Sequence, residues 1–229
     1  MMIRTRIRVW DLPTRIFHWA LACCAVAAFI TVKLGGLWMD WHIRLGLATL
    51  GLIVFRVIWG LAGPHYARFS RFVRGPRTLL QYLRGKSDHM AGHSPLGAFS
   101  VIALLLAFGF QAFSGLFAND DVLSAGPLAF LNEEWSTTFT GLHKLNEWVL
   151  IALVALHVGA IFWYRFKSKK DLIGPMIHGD ANVAVQSGQF IQSARDSWQV
   201  RLAAFALAAA IAAAVWWLTT LAPTTETFS

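Results

Sequence analysis

The sequence predicts an all-α membrane protein, and three observations carry that expectation. Apolar residues make up 56% of the 229 and fall in long blocks rather than at strand or amphipathic-helix intervals. Charged residues are only 14% and gather between those blocks. The net charge of +8 comes from bases concentrated in alternate connections. Five blocks, at 16–38, 42–62, 96–118, 142–164 and 201–222, are each long enough to cross a bilayer.

Arg4, Arg6, Arg8 and Arg15 precede the first span and make it resemble a signal peptide. No small-residue cleavage site follows, because the run ends in Lys33, Gly35, Gly36 and Trp38, so the span is read as retained. Cys23 and Cys24 are adjacent inside it and read as buried packing residues. No C-x-x-C-H motif occurs, which excludes a covalently attached c-type haem. The second span carries Arg44 and Arg56 near its ends, where long side chains can snorkel towards headgroups.

Between spans two and three lie Arg68, Arg71, Arg74, Arg77, Arg84 and Lys86. Between spans four and five lie Arg165, Lys167, Lys169, Lys170, Arg195 and Arg201. The loop between spans three and four instead holds Asp120, Asp121, Glu133 and Glu134. The positive-inside rule then places the N-terminus of a multi-pass membrane protein in the cytoplasm and the C-terminus outside. The basic balance is read as topology rather than nucleic-acid binding. Two Gly-Pro breaks and a short amphipathic piece from Arg77 to Leu83 put the second connection on the membrane surface.

The stretch Gly141 to Arg165 holds His143 and His157, 14 residues apart with no proline between them. On a helix they stand about 40° apart in azimuth and about 21 Å apart in depth. An ionisable group inside a span is costly and marks a functional site, and neutral imidazole is a ligand for haem iron. The bland alternative is a core histidine hydrogen-bonded to a neighbouring helix. Partners at matching depth decide between the two. His18 lies near the inner end of the first span, level with His157, while His42 opens the second span at the outer side, level with His143. Cross-pairing would set imidazoles roughly 20 Å apart in depth, which one iron cannot bridge. The expectation is therefore two bis-histidine sites stacked across the membrane, His18 with His157 and His42 with His143.

Other residues leave their alternatives open. Gly46, Gly51, Gly109 and Gly115 admit either a flat macrocycle or a closely packed helix. Arg56 suits a haem propionate or a lipid phosphate. Glu147 reads as a first-turn carboxylate facing a helix N-terminus, or as a proton-handling group near the outer haem. His65, His89 and His93 lie outside the spans and read as surface histidines, or as contributors to a quinone site.

The runs WDLPTRIFHW, HIRLGLATLGLIVFRVIWG, GHSPLGAFS, FANDD and LHKLNEWVLIALVALH, from Val9 to Ile177, resemble the bacterial cytochrome b561 and nickel-hydrogenase b-type cytochrome family. That resemblance implies a four-helix transmembrane bundle holding two stacked, non-covalent b haems, with His18, His42, His143 and His157 as iron ligands. It implies a domain over 1–180, and leaves 181–229 as a polar cytoplasmic segment with an additional Ala-rich helix suited to close packing on this bundle or on an oligomeric partner. The function implied is electron transfer between the quinone pool and a periplasmic redox partner such as a c-type cytochrome. Two alternatives belong to the same resemblance: an anchor subunit of a hydrogenase or thiosulfate-type reductase, and a superoxide:quinone oxidoreductase. A non-redox role as haem carrier or scaffold fits two stacked sites poorly.

Overall fold

The structure, a computed structural model, describes residues 2–73, 75–84, 94–120, 124–186 and 192–222. Arg74, Lys86, His89, His93, Asp121 and the tail 224–229 therefore lie outside the described residues. Among the described residues the chain is mainly helical, with one small two-stranded sheet. Among the described residues five helices are long and apolar enough to cross a membrane: α1 (Leu12–Leu34), α2 (Met39–Ala62, extended by a 3-10 turn at Gly36–Trp38), α5 (Pro95–Gly115), α6 (Glu133–Phe166) and α8 (Trp198–Thr219). Short helices α3 (Phe69–Phe72), α4 (Pro76–Leu83) and α7 (Ile173–His178) lie in the connections.

Local chemistry sets where these helices begin. Asp11 caps α1 by accepting the Thr14 N–H at 2.9 Å, so the helix starts four residues earlier than the apolar block. Ser94 caps α5 through the Gly97 N–H at 3.1 Å, with Pro95 at the first helical position. Asn132 caps α6 through the Trp135 N–H at 2.9 Å. That cap starts α6 at Glu133, well before the apolar run, so Glu147 is not a first-turn carboxylate. Its Oε1 instead accepts from Lys33 Nζ at 2.6 Å.

The chain divides into two compact units. One comprises Met1–Trp19, Arg56–Leu104 and Leu153–Phe205, and the other Ala20–Phe55, Leu105–Ala152 and Ala206–Ser229. In the second unit, helices meet through small residues and polar groups. Positions where a Cβ would stand 3.5 Å from a neighbour mark two of these contacts: Gly51 against Ile211 of α8 and Gly109 against Ile53 of α2. Both glycines thus serve helix packing, and the Ala-rich α8 packs on this bundle. Asn146 of α6 donates to the Gln111 side chain at 2.7 Å and to the Ala107 carbonyl at 3.0 Å, satisfying amides that would be costly in hydrocarbon.

The first unit contains a sheet that the charge-based reading of the N-terminus did not foresee. Strand β1 (Met2–Arg8) pairs antiparallel with β2 (Asp180–Gln186), in a register that sets Thr5 opposite Val183, Ile7 opposite Ala181 and Arg8 opposite Asp180. Ile7, Val9 and Trp10 are buried together, with Tyr66, Met176, Ala181 and Val183 packed on them. On the other side Arg8 Nε reaches Asp180 at 2.6 Å and its Nη1 reaches Asp196 at 2.6 Å. Asp196 also accepts from Leu12 N at 3.2 Å and from Arg201 Nε at 3.1 Å. The bases Arg8 and Arg201 therefore build structure as well as topology. Gly179 turns the chain into β2 with φ of 90°, and its carbonyl accepts the N–H groups of Val9 and Trp10 at 2.8 and 3.0 Å. A Cβ there would stand 2.7 Å from the Trp10 carbonyl, so glycine is required both for the left-handed backbone and for the close approach.

Candidate functional site

The structure places the four span histidines in two pairs. His18 of α1 and His157 of α6 have ring centres 6.4 Å apart, with planes at 49°. His42 of α2 and His143 of α6 have ring centres 6.1 Å apart, with planes at 87°. Two imidazoles on opposite sides of one metal ion would have centres about 6 Å apart, from metal–nitrogen bonds of about 2 Å and about 1 Å more to each ring centre. Both spacings match that figure. They are too long for direct stacking or for a hydrogen bond between ring nitrogens.

The pairs differ in their support. His42 Nδ1 lies 2.9 Å from the Ala28 carbonyl. His143 Nδ1 lies 3.0 Å from the Gln111 carbonyl and 3.1 Å from Ser114 Oγ. Because a carbonyl can only accept, Nδ1 carries the hydrogen in both rings and Nε2 keeps its lone pair for a metal. Gly115 lets the His143 ring lie against α5, since a Cβ there would meet Cε1 at 3.1 Å. Around Gly46, one turn after His42, no atom lies within 4 Å of where a Cβ would be.

Among the described residues, the unit that holds His18 and His157 contains four buried polar side-chain atoms without a hydrogen-bond partner: Arg15 Nε, His18 Nδ1, Arg56 Nη1 and Arg68 Nε. Arg56 is 3% exposed, with its guanidinium 4.7 Å from the centre of the Phe69 ring. Its burial is unlike that of an arginine snorkelling to headgroups, one of the two uses the sequence left open for it. A buried cation with a free N–H is suited to an anionic group. Donor chemistry, ring spacing and the free Nη1 of this buried guanidinium together fit a haem with a carboxylate edge.

Several other expected residues stand apart from the pairs. Arg44 lies over the Trp41 ring at 5.5 Å. His65 packs edge-on to Tyr66 at 5.0 Å, and burial, followed by the charges of Arg71 and Arg68, lowers its pKa. Cys23 and Cys24 are both free, and Cys23 is exposed rather than buried. Glu133 and Glu134 are exposed in the first turn of α6, and Asp120 is half-buried, accepting the Ser124 N–H at 2.8 Å. Sequence reasoning missed Asp11, Gln111, Ser114 and Asn146. Polar residues inside otherwise apolar blocks were the available signal for the last three.

Residues 9–179 match the family described as prokaryotic cytochrome b561. No curated protein matches the chain, and no solved structure does.

Proposed function

Because this chain belongs to the prokaryotic cytochrome b561 family, whose members are integral membrane proteins that transfer electrons through b haem, we propose that it holds two haems. One would be held between His18 and His157 and the other between His42 and His143. The reading extends to electron passage between the quinone pool and a redox partner outside the cell membrane, such as a c-type cytochrome. The spacing of the two imidazole pairs, 6.4 and 6.1 Å, is the observation that carries the two-haem part of this reading.

Bound haem supplies a one-electron iron couple. The remaining work falls to this chain's residues. His18, His157, His42 and His143 offer lone pairs from neutral imidazoles. The carbonyls of Ala28 and Gln111 orient two of those rings. Arg56 would hold a propionate on its free Nη1, with Asp11 offsetting its charge from the start of α1. Apolar helix surfaces exclude water from the sites. Glu133, Glu134 and Asp120 form an acidic face for a basic partner.

On this reading residues 1–180 are the haem-binding domain, and 181–229 brace it and add one more span. The distribution of bases puts the N-terminus inside and the C-terminus outside. The test is haem content. Pyridine haemochrome assay of the purified protein is expected to give two non-covalent haems b per chain, and a value of one, or haem retained covalently, rejects the reading.

A further inference from the structure

The two imidazole pairs are not electronically alike, and the difference lies on the ring nitrogens turned away from the partner histidine. His143 Nδ1–H faces two acceptors, the Gln111 carbonyl at 3.0 Å and Ser114 Oγ at 3.1 Å. His42 Nδ1–H faces the Ala28 carbonyl at 2.9 Å. His18 Nδ1 is buried and meets no acceptor. Ser114 is 0% exposed, and its own hydroxyl hydrogen is directed to the Gln111 carbonyl at 3.1 Å, which leaves an oxygen lone pair to accept from His143. Asn146 braces the same turn of α5 by donating to the Gln111 side chain and the Ala107 carbonyl.

An acceptor on Nδ1–H draws the hydrogen outward and raises electron density at the ligating nitrogen. The ring becomes a more basic ligand, which favours the oxidised metal. Hydrogen bonding around the ligands is one of the levers a protein holds over the potential of bound haem. We infer that the His42–His143 site has the lower midpoint potential of the two, and that Ser114 is a positioning residue that helps to set it. This rests on the two-haem reading and deepens it: at equilibrium a single electron resides at the His18–His157 site. A donor at the His42–His143 site is thereby favoured over an acceptor there.

The experiment is a redox titration of the purified two-haem protein, followed optically and by EPR. Near-perpendicular imidazole planes, 87° at His42–His143, give a more anisotropic low-spin ferric signal than planes at 49°. As the potential is lowered, the less anisotropic signal is expected to vanish first and the more anisotropic one last. Ser114→Ala is expected to move the lower midpoint upward and leave the higher one in place, with Ser114→Thr restoring it. The inference is overturned if the more anisotropic signal vanishes first, if Ser114→Ala moves neither midpoint, or if it moves the higher one. Should Ser114→Ala fail to accumulate, the order of signal loss in the unaltered protein decides alone. A preparation with one haem per chain overturns the two-haem reading itself, and is recognised before any titration.

Discussion

Asp11 accepts the indole N–H of Trp59 at 3.1 Å, tying the first residue before α1 to the last turns of α2. The carboxylate is 0% exposed and also accepts the N–H and hydroxyl of Thr14, each at 2.9 Å. Its charge also acts on the buried Arg56. Asp11→Ala removes a helix cap, at a cost of about 0.5–2 kcal/mol, and strands buried donors, at about 1–3 kcal/mol. A loss of roughly 2–4 kcal/mol is expected by thermal unfolding in detergent. Asp11→Asn keeps the cap and the acceptor for Trp59, so it should lose less. Equal losses for the two variants would show that the charge, not the hydrogen bonds, is what matters.

Pairing at the histidines is testable one ring at a time. His42→Ala and His143→Ala are expected to perturb the same spectral and redox component, and His18→Ala and His157→Ala the other. If His18→Ala and His143→Ala abolish one common signal, the assignment of pairs is wrong.

Two glycines near the His42–His143 pair should respond differently to the same substitution. At Gly115 an added Cβ meets the His143 ring at 3.1 Å, so Gly115→Ala must displace the ring by a few tenths of an ångström. At Gly46 an added Cβ meets nothing within 4 Å. Gly46→Ala should therefore leave the haem-free fold unstrained and show itself, one turn from His42, only in haem affinity. Haem-loss rates to an apo-globin acceptor, set beside unfolding of the haem-free chain, separate the two effects. A Gly46→Ala chain that unfolds more readily without haem would contradict the open space seen there.

Acid should loosen the contact between β1 and the segment that leads into α8. Hydrogen bonds from Arg8, ahead of those from Arg6, hold the Asp180 carboxyl below its ordinary range. At Asp196 burial pushes the pKa up, but hydrogen bonds from Arg201, Leu12 N–H and Arg8 outweigh it and the net shift is downward. A depressed folded pKa contributes stability above the unfolded value of 3.8, and that contribution is lost as the pH falls through the folded value. Asp196→Asn should accordingly be less stable than the unaltered chain at neutral pH, with the gap closing below about pH 4. Unfolding midpoints at a series of pH values read this directly, and a gap that stays constant with pH would rule out the ionic origin.

Reaction with a small basic c-type cytochrome should slow as ionic strength rises, because exposed acids steer through long-range attraction that salt screens. Neutralising Glu133, Glu134 and Asp120 together should remove that salt dependence. Stopped-flow kinetics measure both. A rate insensitive to salt, alongside rapid haem reduction by superoxide, would favour the oxidoreductase alternative.

The membrane helices and the family were legible because apolar runs are long-range signals that no local choice disguises. Which histidine rings lie near each other was legible for the same reason, since position along a helix follows from residue number. What escaped was set by partners far along the chain. Met2–Arg8 alternates Ile3, Thr5 and Ile7 with Arg4, Arg6 and Arg8, a strand pattern that the density of bases concealed. Its mate begins only at Asp180, and nothing local announces that pairing. Glu147 was misplaced because the cap at Asn132, not the apolar boundary, decides where α6 starts.

The pairing of β1 with β2 also bears on how the protein is made. Arg8 and Asp180 face each other on one side of the membrane, so the chain between them must cross an even number of times, which α1, α2, α5 and α6 satisfy. At the ribosome β1 emerges first and waits, unpaired, until roughly 180 further residues have been synthesised and those four helices inserted. The sheet then closes after those four helices and before α8 is made. A nascent chain with a missed or doubled insertion would deliver β2 to the wrong side and leave β1 unpaired.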